Sequence, residues 1–205
     1  GADLTAELDQ LVSLESERRR LLPELENLKR EQNAAAEEVG KAKRLGLDTS
    51  ALQEANKAIA RAATGDPGLA GMGTTATAAL LEGGILYLVH VGDSRAYLIR
   101  DGRIIQVTED HSVVAEMVRR GTLSADAAES HPARHVITRA LGVDADVDID
   151  ALRVDLEPGD VVLLCTDGLS GPVDDREILE AVDESPTLQH AADALVERAN
   201  EAGGP

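Results

Sequence analysis

The spacing of leucines separates the chain into two parts with different hydrophobic patterns. In the first fifty residues leucine recurs at intervals of mostly three, four and seven, as on one face of a helix: Leu4, Leu8, Leu11, Leu14, Leu21, Leu25 and Leu28. One helix cannot bury so narrow a stripe alone, so the pattern predicts a coiled-coil-like helical arm over residues 1–50 that needs a partner. Pro23 predicts a kink or a new helix start within the arm, because proline has no amide hydrogen to donate.

From residue 51 onward, short apolar runs alternate with glycine-containing turns. The Ala-rich segment Ala51–Ala63 predicts a helix. Four strand-like runs follow, separated by short Gly-Gly, Gly-Asp-Ser and Asp-Gly breaks: Thr74–Leu81, Ile85–Val91, Arg95–Arg100 and Arg103–Val107. Breaks of this length are typical of hairpin turns, so we expect an antiparallel meander of four strands.

The last third of the sequence predicts four more helices and two more strands. The helices are expected at Ser112–Arg120, Ser124–Ala128, Asp175–Val182 and Thr187–Ala202, the first two with a serine cap. Ile149–Leu156 and Asp160–Cys165 are expected to form another hairpin, with the nearly continuous apolar second strand buried on both faces. This order predicts an α+β layered domain over residues 51–205, not a doubly wound one.

Composition and charge narrow the classes of function. The chain of 205 residues has 20 basic and 38 acidic side chains, and its net charge of −18 disfavours binding to nucleic acid or to an anionic membrane. Two tyrosines, without Trp or Phe, argue against base-stacking platforms. The one cysteine, Cys165, excludes an internal disulfide and a cysteine-built zinc site, and it fits a cytoplasmic protein. Neither a membrane span nor a signal peptide is expected from the apolar runs.

Two aspartates stand where predicted strands end. Asp93 follows the second strand, and Asp167 follows the last strand and precedes Gly168. A carboxylate at a strand tip beside glycine leaves room for a hard cation with its waters, which makes both residues candidate metal ligands. The alternative is an ordinary turn, because Gly-Asp and Asp-Gly are common turn formers.

Five motifs in a fixed order resemble one enzyme family. They lie at residues 71–75, 90–97, 108–112, 135–142 and 158–169, and include Gly-Asp-Ser-Arg at 92–95 and Thr-Asp-Gly-Leu at 166–169. Over residues 51–204 the chain resembles the bacterial metal-dependent protein serine/threonine phosphatases of the 2C type (PPM). The resemblance implies a two-sheet antiparallel β-sandwich flanked by helices. It also implies a Mn²⁺ or Mg²⁺ pair, with a third ion nearby, whose bridging water hydrolyses phosphoserine or phosphothreonine without a covalent intermediate.

The resemblance carries over to only part of the family's site. It assigns Asp167 to the metal pair and Asp93 to the third metal. The family's opening segment, with a phosphate-binding arginine and further metal aspartates, has no counterpart before Ala51, and its closing aspartate would follow Gly203–Pro205. We therefore expect a partial sandwich with weak or absent Mn²⁺ or Mg²⁺ binding, no assigned catalytic side chain, and weak or absent phosphatase activity on a phosphoprotein substrate.

Residues 4–50 resemble a different family, the seryl-tRNA synthetases. The segments at 8–11, 17–20, 28–33 and 38–43 are similar to the first strand of that family's antiparallel helical arm, which implies a join near Thr49–Ala55. The chain would then be a natural fusion or a chimera. Two alternatives to a phosphatase remain open: a non-catalytic scaffold that self-associates through the arm or exposed sheet edges, and a tRNA-binding arm on an inert core. Eight basic against eleven acidic residues in 1–50 disfavour the second.

Other residues with chemical potential are expected to be structural. His90 lies within a predicted strand, and His111 matches a family position outside the metal cluster. Arg95 could contact phosphate or pair with a nearby carboxylate. Cys165 lies in an apolar strand and is expected to be packed, not nucleophilic.

Overall fold

The computed structural model of the protein describes residues 49–203. The predicted helical arm therefore lies outside the described residues, except for its last two positions. Within the described range the elements are α1 (Ser50–Gly65), a 3₁₀ turn (Pro67–Leu69), β1 (Ala76–Glu82), β2 (Ile85–Val91), β3 (Arg95–Arg100), β4 (Arg103–Gln106), α2 (Val113–Arg119), α3 (Ala125–Glu129), β5 (Asp150–Asp155), β6 (Val161–Cys165), α4 (Asp167–Ser170), α5 (Asp175–Glu184) and α6 (Leu188–Glu201).

Local sequence signals place these elements well. The strands β2 and β3 have the predicted bounds, because glycine-containing turns mark both of their ends. Ser112 and Ser124 cap α2 and α3 by accepting backbone N–H bonds, as predicted, and Thr187 caps α6 in the same way. The single-turn helix α4 is an addition, since the Asp-Gly pair at 167–168 predicted only a turn.

The strands form two three-stranded antiparallel sheets, in the orders β1-β2-β5 and β4-β3-β6. The predicted four-strand meander is therefore wrong: β1 pairs with β2 and β3 pairs with β4, but β2 and β3 belong to different sheets. Gly92 adopts φ +115°, and the chain passes from one sheet to the other through residues 92–94 instead of folding back as a hairpin.

The second predicted hairpin is also wrong. The strand β5 pairs with β2, and β6 pairs with β3, so these consecutive strands lie in different sheets. The strand β6 is not buried on both faces, because Leu164 is 43% exposed. An unbroken apolar run predicts a strand, but it identifies neither the neighbouring strand nor the face that is exposed.

The core consists of three hydrophobic clusters, one between the sheets and two between a sheet and helices, as expected for the predicted α+β sandwich flanked by helices. Between the sheets pack Leu86, Leu88 and Ala96, with Leu152 and Val162 among their neighbours. The outer face of the β3 sheet meets α5 and α6 through Tyr97, Ile178, Ala181, Leu195 and Ala199. The helix α1 packs on the other side, where Leu52 and Ile59 contact a cluster of Val91, Leu141 and Val147. Alternate residues of β3 thus face opposite layers.

The strand β1 is an open edge. Within residues 49–203 it pairs only with β2, and its Leu80 and Leu81 are 58% and 64% exposed although consecutive strand residues point to opposite faces. None of the helices in this range is both long and apolar enough to cross a membrane.

Candidate functional site

The loop from β2 to β3 that carries Asp93 is tightly restrained. A Cβ atom at Gly92 would lie 2.3 Å from Cγ2 of Thr75, so only glycine fits there. The hydroxyl groups of Thr75 and Ser94 are 3.0 Å apart and share a hydrogen bond. The single proton of the Thr77 hydroxyl is shared between Nδ1 of His90 at 2.8 Å and the carbonyl oxygen of Ser94 at 3.3 Å. Gly92 and Ser94, on either side of Asp93, are both buried.

His111 holds the same loop from the opposite side. Its backbone N–H donates to the Gly92 carbonyl at 2.8 Å, and the Gly92 N–H donates to its Nδ1 at 3.0 Å. Its Nε2 is 3.1 Å from Oδ2 of Asp150, whose Oδ1 accepts from Nη1 of Arg139 at 3.0 Å. For Asp150, burial raises the carboxyl pKa, but the hydrogen bond and charge of His111, with the charge of Arg139, hold that pKa below its usual value.

His90 stacks near His111, with the ring centroids 4.9 Å apart. Its Nε2 donates to the carbonyl oxygen of Glu109 at 3.1 Å, and its Nδ1 is 2.8 Å from the hydroxyl of Thr77. Burial lowers the pKa of His90, and repulsion from His111 lowers it further. Both histidines are buried and hydrogen-bonded, in agreement with the prediction that they are structural.

Arg95 pairs with a nearby carboxylate, which is one of its two predicted partners. Its Nε and Nη2 donate to the two oxygens of Asp110 at 3.0 and 2.7 Å, while Nη1 donates to the hydroxyl of Tyr97 at 3.0 Å. Gln106 donates to the same Asp110 carboxylate at 2.8 Å. Burial alone would lower the pKa of Arg95, but the hydrogen bonds and charge of Asp110 raise it above its usual value.

Asp167 belongs to a more open turn. It begins α4 and is exposed, and Thr166 before it makes no side-chain capping bond. The backbone of the turn is closed by the Gly171 N–H, which donates to the Asp167 carbonyl at 2.8 Å. Cys165, just before this turn, is half-buried, in agreement with a packed thiol, and burial raises its pKa.

The pairing of β3 with β6 brings the two candidate aspartates to one end of the sheet. Arg95 is opposite Cys165 in an antiparallel register, so Asp93, two residues before Arg95, and Asp167, two residues after Cys165, leave the sheet at the same end. Burial raises the pKa of Asp93, and the negative charge of Asp167 is the next largest cause of that shift. The two carboxylates therefore repel each other, which is the electrostatic situation that a bound cation relieves.

The contacts that hold this arrangement are not evident from the sequence alone. Asp110 lies in the motif at 108–112, four residues after Gln106 and fifteen after Arg95. Its place in a motif is the signal that could have identified it as the partner of both side chains. Asp150 gave no local signal, since it contacts His111 from 39 residues away. Across residues 49–203 no group of three or more His, Cys, Asp or Glu side chains is arranged to hold a metal ion. The metal role of Asp93 and Asp167 stays a prediction.

Comparison with known proteins gives consistent similarities. The sequence matches the family model described as Protein phosphatase 2C over residues 19–203. It is 40% identical over 153 residues to the serine/threonine phosphatase stp of Listeria monocytogenes, covering 75% of this chain and 61% of that protein. The crystal structure of the serine/threonine phosphatase PstP/Ppp of Mycobacterium tuberculosis superposes with a TM-score of 0.69 at 45% identity, covering 73% of this chain and 63% of that one.

A structure of the catalytic domain of PstP in complex with two manganese ions is also similar, with a TM-score of 0.66 at 43% identity. It covers 73% of this chain and 62% of that domain. The chain thus spans less than two thirds of the length of each of these relatives.

Proposed function

The chain belongs to the protein phosphatase 2C family, and we propose that its chemistry is the metal-assisted hydrolysis of phosphoserine and phosphothreonine in proteins. The observation that carries this proposal is the convergence of Asp93 and Asp167 at one end of the β3–β6 pair. Its relatives in Listeria and Mycobacterium are named serine/threonine phosphatases, which supports the class of substrate.

The two aspartates fit a hard divalent cation. Both offer carboxylate oxygens, the donors that Mn²⁺ and Mg²⁺ prefer, and their mutual repulsion favours a positive charge between them. The related PstP domain binds two manganese ions, which supports Mn²⁺ as the first ion to test. A bound ion of this kind supplies Lewis acidity to a phosphoryl oxygen. Asp93 and Asp167 would hold the ion, and the Gly92–Ser94 loop would fix the position of Asp93.

We expect this chain of 205 residues to hydrolyse phosphate esters weakly or not at all. Two carboxylates are few for a divalent cation, which is normally held by several oxygen ligands. The described residues hold no larger group of metal-binding side chains. Arg95 cannot easily compensate by binding phosphate, because Asp110 engages its guanidinium through two nitrogens.

Turnover of a small aryl phosphate and of a phosphothreonine peptide, with and without Mn²⁺, tests the proposal. The expected result is either no rate or a small Mn²⁺-dependent rate, and any such rate should be removed by both Asp167→Ala and Asp93→Ala. The exposed Asp183 lies in α5, outside the site, and Asp183→Ala serves as the matched control. A residual rate that survives Asp167→Ala would refute the site. Fast Mn²⁺-dependent turnover that is lost in Asp167→Ala would support metal-assisted hydrolysis. It would also contradict the expectation that this chain hydrolyses phosphate esters weakly or not at all.

A scaffold role is the second candidate, favoured by the open β1 edge with its exposed Leu80 and Leu81. An unprotected edge strand can pair with a strand of another chain. The leucine stripe over residues 4–28 likewise needs a second helix to bury it. This candidate predicts a dimer or larger species by light scattering, and a clean monomer would contradict it. Binding of tRNA by the arm would show as salt-sensitive retention, and its absence at low salt would remove that alternative.

A further inference from the structure

We propose that His111 is a positioning residue that fixes the two peptide units on either side of Gly92, directly before Asp93, and so sets the direction of this carboxylate toward a cation. The inference rests on the proposed function, because it assigns Asp93 to a metal site. Its basis is a double contact: Nδ1 of the His111 ring accepts from the Gly92 N–H at 3.0 Å, and the backbone N–H of His111 donates to the Gly92 C=O at 2.8 Å. Only the first of these contacts depends on the side chain. Gly92 is bonded directly to Asp93, so a rotation of its backbone would swing the carboxylate away.

The hydrogen bonds identify the protonation of the ring. The Gly92 N–H is a donor, so Nδ1 of His111 must be the unprotonated nitrogen. The proton of the neutral ring is then on Nε2, which donates to Asp150 at 3.1 Å. Arg139 Nη1 also lies 3.1 Å from Nε2, but both groups are donors, so this approach reflects their shared acceptor and not a bond between them.

Asp150 and Arg139 hold the ring in this orientation. The side chain of His111 is 2% exposed, and Asp150 binds it from β5, the strand next to β2. A ring flip would place the Cδ2–H group against the Gly92 N–H, which would lose its acceptor, and would move the Nε2 proton away from Asp150, so it is disfavoured. The connection Arg139–Asp150–His111–Gly92 therefore resembles the outer contacts that orient ligands in metal sites.

The need for such support follows from the charges. Asp93 and Asp167 repel each other in the absence of a cation, so an unrestrained loop would relax and separate them. His90 provides an internal comparison, because it belongs to the same buried cluster but contacts Thr77 and the Glu109 carbonyl, with no hydrogen bond to Gly92 or Asp93. A loss of packing in the cluster affects both histidines, and His90 reaches the loop only through Thr77 and Ser94, whereas the direct contact with Gly92 belongs to His111 alone.

The test compares His111→Asn, His111→Gln and the control His90→Gln in the full chain. The asparagine amide oxygen can replace Nδ1 as acceptor for Gly92, whereas glutamine replaces Nε2 and keeps only the contact to Asp150. Mn²⁺ binding is measured by paramagnetic broadening of backbone NMR signals near residues 93 and 167. We expect affinity near wild type in His111→Asn and His90→Gln, and a loss of about tenfold or more in His111→Gln.

Two metal-free measurements separate this inference from the proposed function. They are hydrogen exchange at the Gly92 amide and the ¹⁵N signals of the His111 ring. If wild type binds no Mn²⁺, the proposed function fails, but faster exchange at Gly92 in His111→Gln than in His90→Gln still supports positioning. Equal exchange at Gly92 in these variants, or a ring carrying its proton on Nδ1, overturns the inference. So does wild-type Mn²⁺ affinity in His111→Gln.

If His111→Gln does not fold, Asp150→Asn takes its place. This variant leaves Gly92 and His111 in contact but weakens the bond that orients the ring. We expect a smaller loss of Mn²⁺ affinity, about threefold, together with faster exchange at Gly92. Unchanged affinity and unchanged exchange would overturn the inference.

Discussion

Asp93 and Asp167 lie at the same end of one sheet, but the turns that carry them are built differently. The Asp93 loop has buried residues on both sides and is bonded by Thr75, Thr77 and His111. In the Asp167 turn, Thr166 and Asp167 are exposed, and Thr166 makes no side-chain capping bond. The difference indicates that the backbone carrying Asp93 is held by its neighbours, whereas the backbone carrying Asp167 has fewer such restraints.

The largest loss of folding stability is expected when a side chain is added at Gly92, in the loop that carries Asp93. Gly92→Ala should destabilise the fold by about 3 to 5 kcal/mol, because the new Cβ overlaps Thr75 and φ is +115°. Gly159→Ala is the matched control, since Gly159 has φ +100° but open space around its Cβ, and it should cost about 1 to 2 kcal/mol. Denaturant unfolding measures both, and equal losses would mean that the loop is not tightly packed.

The buried His90 next to the rigid loop should make stability fall in acid. The pKa of His90 is lowered in the folded state from 6.5, so the unfolded chain takes up its proton first as the pH falls. The contribution is complete above pH 6.5 and decreases below it, with a slope of at most about 1.4 kcal/mol per pH unit for one proton. Comparison of unfolding free energies of wild type and His90→Gln measures it, and identical slopes would contradict the lowered pKa.

The hydroxyl groups of the two turns offer a smaller contrast. Ser94→Ala removes a 3.0 Å bond to Thr75 at a buried site and should cost about 1 kcal/mol. Ser170→Ala removes a 3.5 Å contact to the Thr166 carbonyl and a hydrogen bond to the weakly bonding Cys165 thiol, and should cost less, about a few tenths of a kcal/mol. Thermal unfolding of the two variants gives the comparison, and a larger loss for Ser170→Ala would reverse the assignment of rigid and open turns.

The smallest effect is expected from the carboxylates themselves without metal. The pKa of Asp93 is raised above 3.8, so its ionised form lowers the stability of the fold at neutral pH. Asp93→Asn should therefore raise the free energy of unfolding by about a few tenths of a kcal/mol. Asp167→Asn relieves only the repulsion and should gain less. Metal-free unfolding at pH 7 measures both, and a loss of stability in Asp93→Asn would contradict the repulsive pair.

The sequence predicted much of the local structure and less of the pairing. The bounds of β2 and β3 followed from the turn residues beside them, and the strand-tip positions of Asp93 and Asp167 were predicted for the same reason. Their convergence depends on the register of Arg95 with Cys165, a contact between distant segments that hydrophobic periodicity does not encode. The three-residue loop at 92–94 has the composition of a hairpin turn, so only its packing against Thr75 reveals the passage between sheets.

The most direct test of the account is a Mn²⁺ titration followed by NMR in wild type, Asp93→Asn, Asp167→Asn and the double variant, with Asp183→Asn as control. If the two carboxylates hold one ion, broadening in wild type centres on residues 93 and 167. Each single variant then loses most of the affinity, and the double variant loses little more, because the partners act as a unit. Broadening around residue 167 that persists unchanged in Asp93→Asn would contradict a shared cation site.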